Sequence, residues 1–300
     1  MGCDPMVTAA RRPTAPEVAR GRAPALSMAP GSWLGRFVRS LAGRTWAALF
    51  GMFLAWFAVW TAVAYVVLDT VISAQAQADL EAIAGPLMGA LGVLFAFLTA
   101  FVITTEWGQH REAEHIVGME ADECVRLAWI SQSPGCDGAT IRRDLAAYLG
   151  SVLNEEWPAL ADCGGCEATH DRMSELQYRV RGIAAKPDVP ASVSNDLTTA
   201  ADAIAVTRAE RLSAAAPDLP APLFLLAFLS GVVLTLNAVV LALHLDPAHG
   251  LAIAGIVALI PLDLALLLAI AMPFKGDLRV EGHALVRVLD NLTRGRHGPL

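Results

Sequence analysis

Lysine occurs only twice in this 300-residue chain, at 186 and 275, and positive charge of either kind is missing from two places where it would be informative. Four apolar stretches, 45–68, 84–105, 221–245 and 250–272, contain a single Asp, Glu, Lys or Arg, which is Asp263. The segments joining the first to the second (69–83) and the third to the fourth (246–249) carry no Lys or Arg at all. No stretch of useful length alternates apolar and polar residues with a period of two, which argues against strands. A phosphate loop, a Gly-x-Ser-x-Gly elbow, a His-Glu-x-x-His helix and any recognisable catalytic trio are also missing, so an enzyme is not expected. The paired Arg11 and Arg12 lie too far from the first apolar run to make an export signal.

What remains is a chain with 55% hydrophobic and 17% charged residues, too apolar for an ordinary soluble domain of this length. Each apolar stretch is long enough to cross a hydrocarbon core of ~30 Å at 1.5 Å rise per residue. All 22 Lys and Arg then fall on one side. By the positive-inside rule, both termini and residues 106–220 are expected in the cytoplasm and the two short connections outside, in a plasma (inner) membrane protein.

The expected fold is all-α, with four transmembrane helices in two hairpins and a helical cytoplasmic segment between spans two and three. Residues 106–130 continue span two, with Ile116, Met119, Cys124, Leu127 and Ile130 as an apolar stripe. Further helices are expected at about 139–157, ended by Pro158, at 169–184, at 193–215 and at about 282–293. Residues 1–44 hold seven Arg against two acids and read as a disordered basic arm beside an anionic leaflet rather than a nucleic-acid binder, or in part as sequence upstream of a start at Met28. Residues 45–295 read as one unit.

Several residues are candidates for function. Val93, Phe97 and Phe101 follow one another at i,i+4 and share a helical face. Asp263 costs about 2.5–3.5 kcal/mol at mid-span, and by depth the hydroxyls of Thr99 and Ser230 are placed to satisfy it. Glu106, Glu112 and Glu114 lead a run of acids where span two leaves the membrane, and 106–220 as a whole holds 19 acids against 10 bases. Such a run around an axis would gather cations, whereas on a solvated face it would do nothing. Cys163, Cys166 and His170 offer three of the four ligands a zinc ion needs, with reduced, inert thiols the commoner outcome. No cofactor is expected.

Three stretches carry a resemblance. Phe97-Leu98-Thr99-Ala100-Phe101-Val102-Ile103-Thr104-Thr105-Glu106-Trp107-Gly108-Gln109-His110, the run Arg208-Ala209-Glu210-Arg211-Leu212 leading to Leu219-Pro220, and above all Pro273-Phe274-Lys275-Gly276-Asp277-Leu278-Arg279-Val280 resemble the bestrophin-like domain family. Bestrophins proper are pentameric ion channels with four spans per subunit and an apolar constriction from span two. The resemblance therefore implies a homo-oligomer, with Val93 and Phe97 at positions matching that neck and Phe101 one turn further. Gly89 departs from the pattern, and no acidic calcium-binding cluster follows span four, where Asp277 stands alone. The opposing expectation is a non-conducting scaffold or sensor whose acidic helices bind a partner.

Overall fold

The computed structural model describes residues 45–160, 165–215, 221–243 and 247–294. The basic arm, Cys163 and the turn at Asp246 lie outside the described residues. Every regular element among the described residues is helical. The helices are α1 (Trp46–Val71), α2 (Ala74–Ile130), α3 (Gly138–Ser151), α4 (Trp157–Leu160), α5 (Glu167–Ala184), α6 (Ala191–Ala214), α7 (Ala221–Ala242), α8 (Pro247–Ile270) and α9 (His283–Thr293). Four of them, α1, α2, α7 and α8, are long and apolar enough to cross a membrane.

The expected connection over 69–83 shrinks to two residues. Helix α1 runs on to Val71, Ser73 caps α2 by accepting from the amide of Ala76, and Gln77 ties the two ends together by donating its side-chain amide to the carbonyls of Leu68 and Ile72. Pro86 falls inside α2, which continues through it. From Ala74 to Ile130 the helix is unbroken for 57 residues, about 85 Å at 1.5 Å per residue, so it carries the second apolar stretch and its polar continuation on one rod.

Although α1 and α2 are consecutive, they pack principally through the other pair. Helix α1 lies against α8 and α7, while α2 lies against α7 and α8. Phe57, Phe95, Val102, Phe224, Ile260 and Leu264 close this membrane-level core. Gly231 lets α7 approach α8, since a Cβ there would stand 2.7 Å from the Ile260 Cγ2. At one end Asn237 donates to the Ala84 carbonyl, and at the other the Trp46 amide donates to Asp277.

A second core forms where α2 continues beyond its apolar part. Helix α6 packs along α2 and α5, α3 packs on α5, and α9 closes over α2 and α3. Helix α3 runs antiparallel to α2: Gly138 abuts the Ser131 carbonyl at its start, and Tyr148 reaches Glu120 ten residues later. A helix to Trp157 halted by Pro158 is not what forms. A π turn, Val152–Glu156, intervenes, and Pro158 sits in the first turn of α4. Proline in an α-helix clashes with the carbonyl four residues back, and the wider π turn relieves that clash.

The most specific stretch of the resemblance forms the loop after α8. The Val280 amide donates to the Pro273 carbonyl, Gly276 adopts φ 87°, and Phe274 inserts into the second core edge-on to Trp157. Asp277 accepts from the first amide of α1. Each side chain of this motif that the structure ties down therefore joins the end of span four to something else.

Candidate pore face and a buried charge network

Helix α2 is two-faced. Phe95, Thr99, Val102 and Glu106 are buried against its neighbours, whereas Val93 and Phe97 are each 72% exposed and Phe101 is 56% exposed. None of the three neck candidates packs into either core cluster. The exposed stripe does not stop at the membrane boundary. At about 100° per residue, Val93, Phe97, Phe101, Thr104, Gly108, Arg111, His115, Asp122 and Arg126 stay within ~40° of one line. All nine are exposed.

The three glutamates expected at an acidic mouth do not share one face. Glu106 projects opposite Phe97 by the same count and is only 2% exposed, so it does not share the exposed stripe. Glu112 and Glu114 are exposed, one on each side of Arg111 and His115. Glu114 also approaches the Nε2 of His110 at 3.9 Å, and His110 itself is buried with Trp107 stacked on its ring.

Asp263 is half-buried in α8. The two hydroxyls proposed for it are spent on their own helices. Thr99 donates to the carbonyls of Phe95 and Ala96, and Ser230 donates to that of Ala227. A hydroxyl has one proton, so neither has one left for the carboxylate. Of the weak metal candidates, the thiol of Cys166 points to Glu155 at 3.7 Å, and His170 is exposed in the first turn of α5. Among the described residues, no three His, Cys, Asp or Glu side chains gather as a metal site.

The residues that sequence reasoning missed lie deeper. Arg211 of α6, wholly buried, donates through Nε and Nη2 to Glu120 of α2 at 2.7 and 3.3 Å, and through Nη2 to Glu156 of the π turn at 2.7 Å. Arg208, one turn before it, binds Glu156 with both Nε and Nη2. The Tyr148 hydroxyl donates to Glu120 at 2.6 Å, and the guanidinium carbon of Arg211 stands 5.5 Å from the centre of the Trp157 ring. Two carboxylates and two guanidiniums cancel, which is what allows four charges to sit in a core. One atom is left over, Nη1 of Arg211, buried without a protein partner.

The electrostatics follow from that packing. Burial pushes the Glu156 carboxyl up, but hydrogen bonds from Arg208 and Arg211 outweigh it and hold the group below its ordinary value. Burial, reinforced by Glu120, pushes the Tyr148 hydroxyl and the Cys124 thiol well above theirs, so both stay neutral. The signal for this network was in the chain. Glu120 falls within the apolar stripe of Ile116, Cys124 and Leu127, and Arg208 and Arg211 lie at i+4 and i+7 from the buried Ile204.

A model of the bestrophin-like domain matches residues 55–285, from within α1 to the start of α9. The chain belongs to the bestrophin-like family. The matched region contains most of α1, the apolar helices α7 and α8, and α2 with its exposed stripe, together with the whole charge network. No curated protein and no solved structure matches the chain. A bestrophin-like domain on four apolar helices makes it a membrane protein.

Proposed function

We propose that this bestrophin-like protein forms a homo-oligomeric ion channel, pentameric in the family's manner, in which α2 of each subunit faces a common axis. Val93, Phe97 and Phe101 then make three stacked apolar rings, about 6 Å apart at four residues per step. Rings of this kind hold back ions by dewetting until they widen. The observation that carries the reading is the continuity of the exposed stripe. Lipid could cover Val93, Phe97 and Phe101, but it would not cover Gly108, Arg111, His115 and Arg126, which lie beyond the apolar span on the same face and are exposed as well.

The cytoplasmic mouth then carries Glu112 and Glu114 against Arg111, a net of one negative charge per subunit with histidine neutral. Selectivity for cations is therefore weak, because Glu106 is turned away. The positive-inside pattern supports a plasma-membrane location with both termini and residues 106–220 in the cytoplasm. The lipid bilayer, further copies of the chain and inorganic ions are the partners this requires.

Introducing Phe97→Cys and oxidising the protein in detergent tests the geometry. The expected result is a disulfide-linked dimer band from a particle whose native mass corresponds to about five 31.7 kDa chains. A monomer that forms no cross-link would exclude an axial α2.

A further inference from the structure

Helices α3 and α5 leave between them a groove of ≈ 440 Å³, lined by Arg143, Asp144, Ala147, Arg172, Glu175 and Arg179. Three guanidiniums against two carboxylates give it one net positive charge. The acids hold the arginines in place more than they use them up. Asp144 sits at the floor, its side chain 13% exposed, and meets Arg143 through Nε at 3.3 Å and Arg179 through Nε at 3.2 Å. Glu175 meets Arg179 through Nη2 at 2.6 Å and Arg172 through Nη1 at 3.6 Å. The hydrogen bonds in these pairs run through Nε of Arg143 to Asp144 and Nη2 of Arg179 to Glu175, one N–H of each guanidinium. Guanidinium N–H groups oriented by second partners match phosphate oxygens in a planar, bidentate way that lysine does not.

We propose that this groove binds a small, phosphate-rich anion such as a pyrophosphate group. The wall chemistry sets the class. No aromatic or large apolar side chain lines the groove, so nothing stacks on a base or holds an acyl chain. A single phosphate would satisfy fewer donors than three arginines offer.

Depth identifies the source. Because α3 runs antiparallel to α2 with Gly138 beside Ser131 and Tyr148 beside Glu120, Asp144 lies level with about residue 124 of α2. That is roughly 30 Å along the helix from Thr105, the last residue of the apolar stretch. Headgroup layers extend only about 5–8 Å beyond the hydrocarbon. The ligand is a soluble anion and not a lipid headgroup. The inference is independent of whether the protein conducts.

Calorimetric titration of the full chain in detergent with sodium pyrophosphate, at fixed ionic strength, tests it. Saturable binding is expected, weakened about tenfold or more in Arg143→Gln/Arg172→Gln and unchanged in Arg294→Gln, whose arginine is exposed at the end of α9. Both groove arginines are more than half exposed, and an unchanged melting temperature verifies that the double variant folds. Arg172→Gln alone serves if it does not. Absence of saturable binding, equal affinity in every variant, or a response only to vesicles containing phosphoinositide would overturn the proposal.

Discussion

Replacing Arg211 by methionine removes the one group that bridges α2, the π turn and α6, and its consequences can be worked through atom by atom. Glu156 keeps Arg208, which already binds both its oxygens. Glu120 keeps only the Tyr148 hydroxyl and becomes a carboxylate with no exposed surface and no countercharge. Breaking a buried pair from one side costs about 3–5 kcal/mol, most of it the desolvation of the charge left behind. At about 2–4 °C per kcal/mol for a chain of this size, the melting temperature should fall by roughly 6–20 °C. The double variant Glu120→Gln/Arg211→Met leaves a neutral amide beside Tyr148 and an intact Arg208–Glu156 pair, so it should regain much of that loss. Thermal unfolding in detergent, followed by tryptophan fluorescence with Trp157 beside the network, supplies all four corners of the cycle. A fall of less than 2 °C for Arg211→Met, or strict additivity of the two changes, would refute the claim that a buried charge balance holds these helices together.

Two further outcomes follow from the packing. Glu156 has its carboxyl held below the ordinary 4.5, so its contribution is fully present above that value and is lost as pH falls through the lower, folded value. Melting temperature should therefore drop below about pH 4.5, and the drop should be shallower in Glu156→Gln; parallel curves would contradict the assignment. At Gly231, alanine would place a Cβ 2.7 Å from Ile260 and 3.4 Å from Phe95, an overpacking worth about 1–3 kcal/mol. Folded yield and thermal midpoint should fall, and Ile260→Ala should restore them by removing the methyl that is struck. No rescue would show that the α7–α8 approach is looser than described.

Helix existence was legible because the signals are long. Four apolar runs and the unbroken pattern from Glu106 to Ile130 are hard to mistake, and α5 and α6 begin and end within about two residues of expectation. The π turn was not legible, since Pro158 reads locally as a helix stop and only packing around Glu156 shows that the backbone widens and continues. Nor was the packing order of the spans, because residues facing α7 or α8 and those facing lipid are equally apolar. The site divides the same way. Periodicity puts Val93, Phe97 and Phe101 on one face, and in the structure all three are exposed, with no element among the described residues covering them. Glu106 was placed with Glu112 and Glu114 by counting acids, yet six and eight residues turn a helix by very different angles, and only Glu106 faces inward. Glu120 belongs to the same run of acids, yet its apolar neighbours at i±4, Ile116 and Cys124, mark it as buried. Charge count competed with periodicity there, and periodicity was the better guide.

The most direct test of the account is ionic current across planar bilayers containing the purified protein under a KCl gradient, with Phe97→Ala/Phe101→Ala measured beside it. The account predicts a current that grows in the variant, because smaller rings widen and wet the neck, with a reversal potential displaced only slightly toward that of potassium. Silence from both proteins after verified insertion, or identical currents from the two, would contradict an apolar gate on α2.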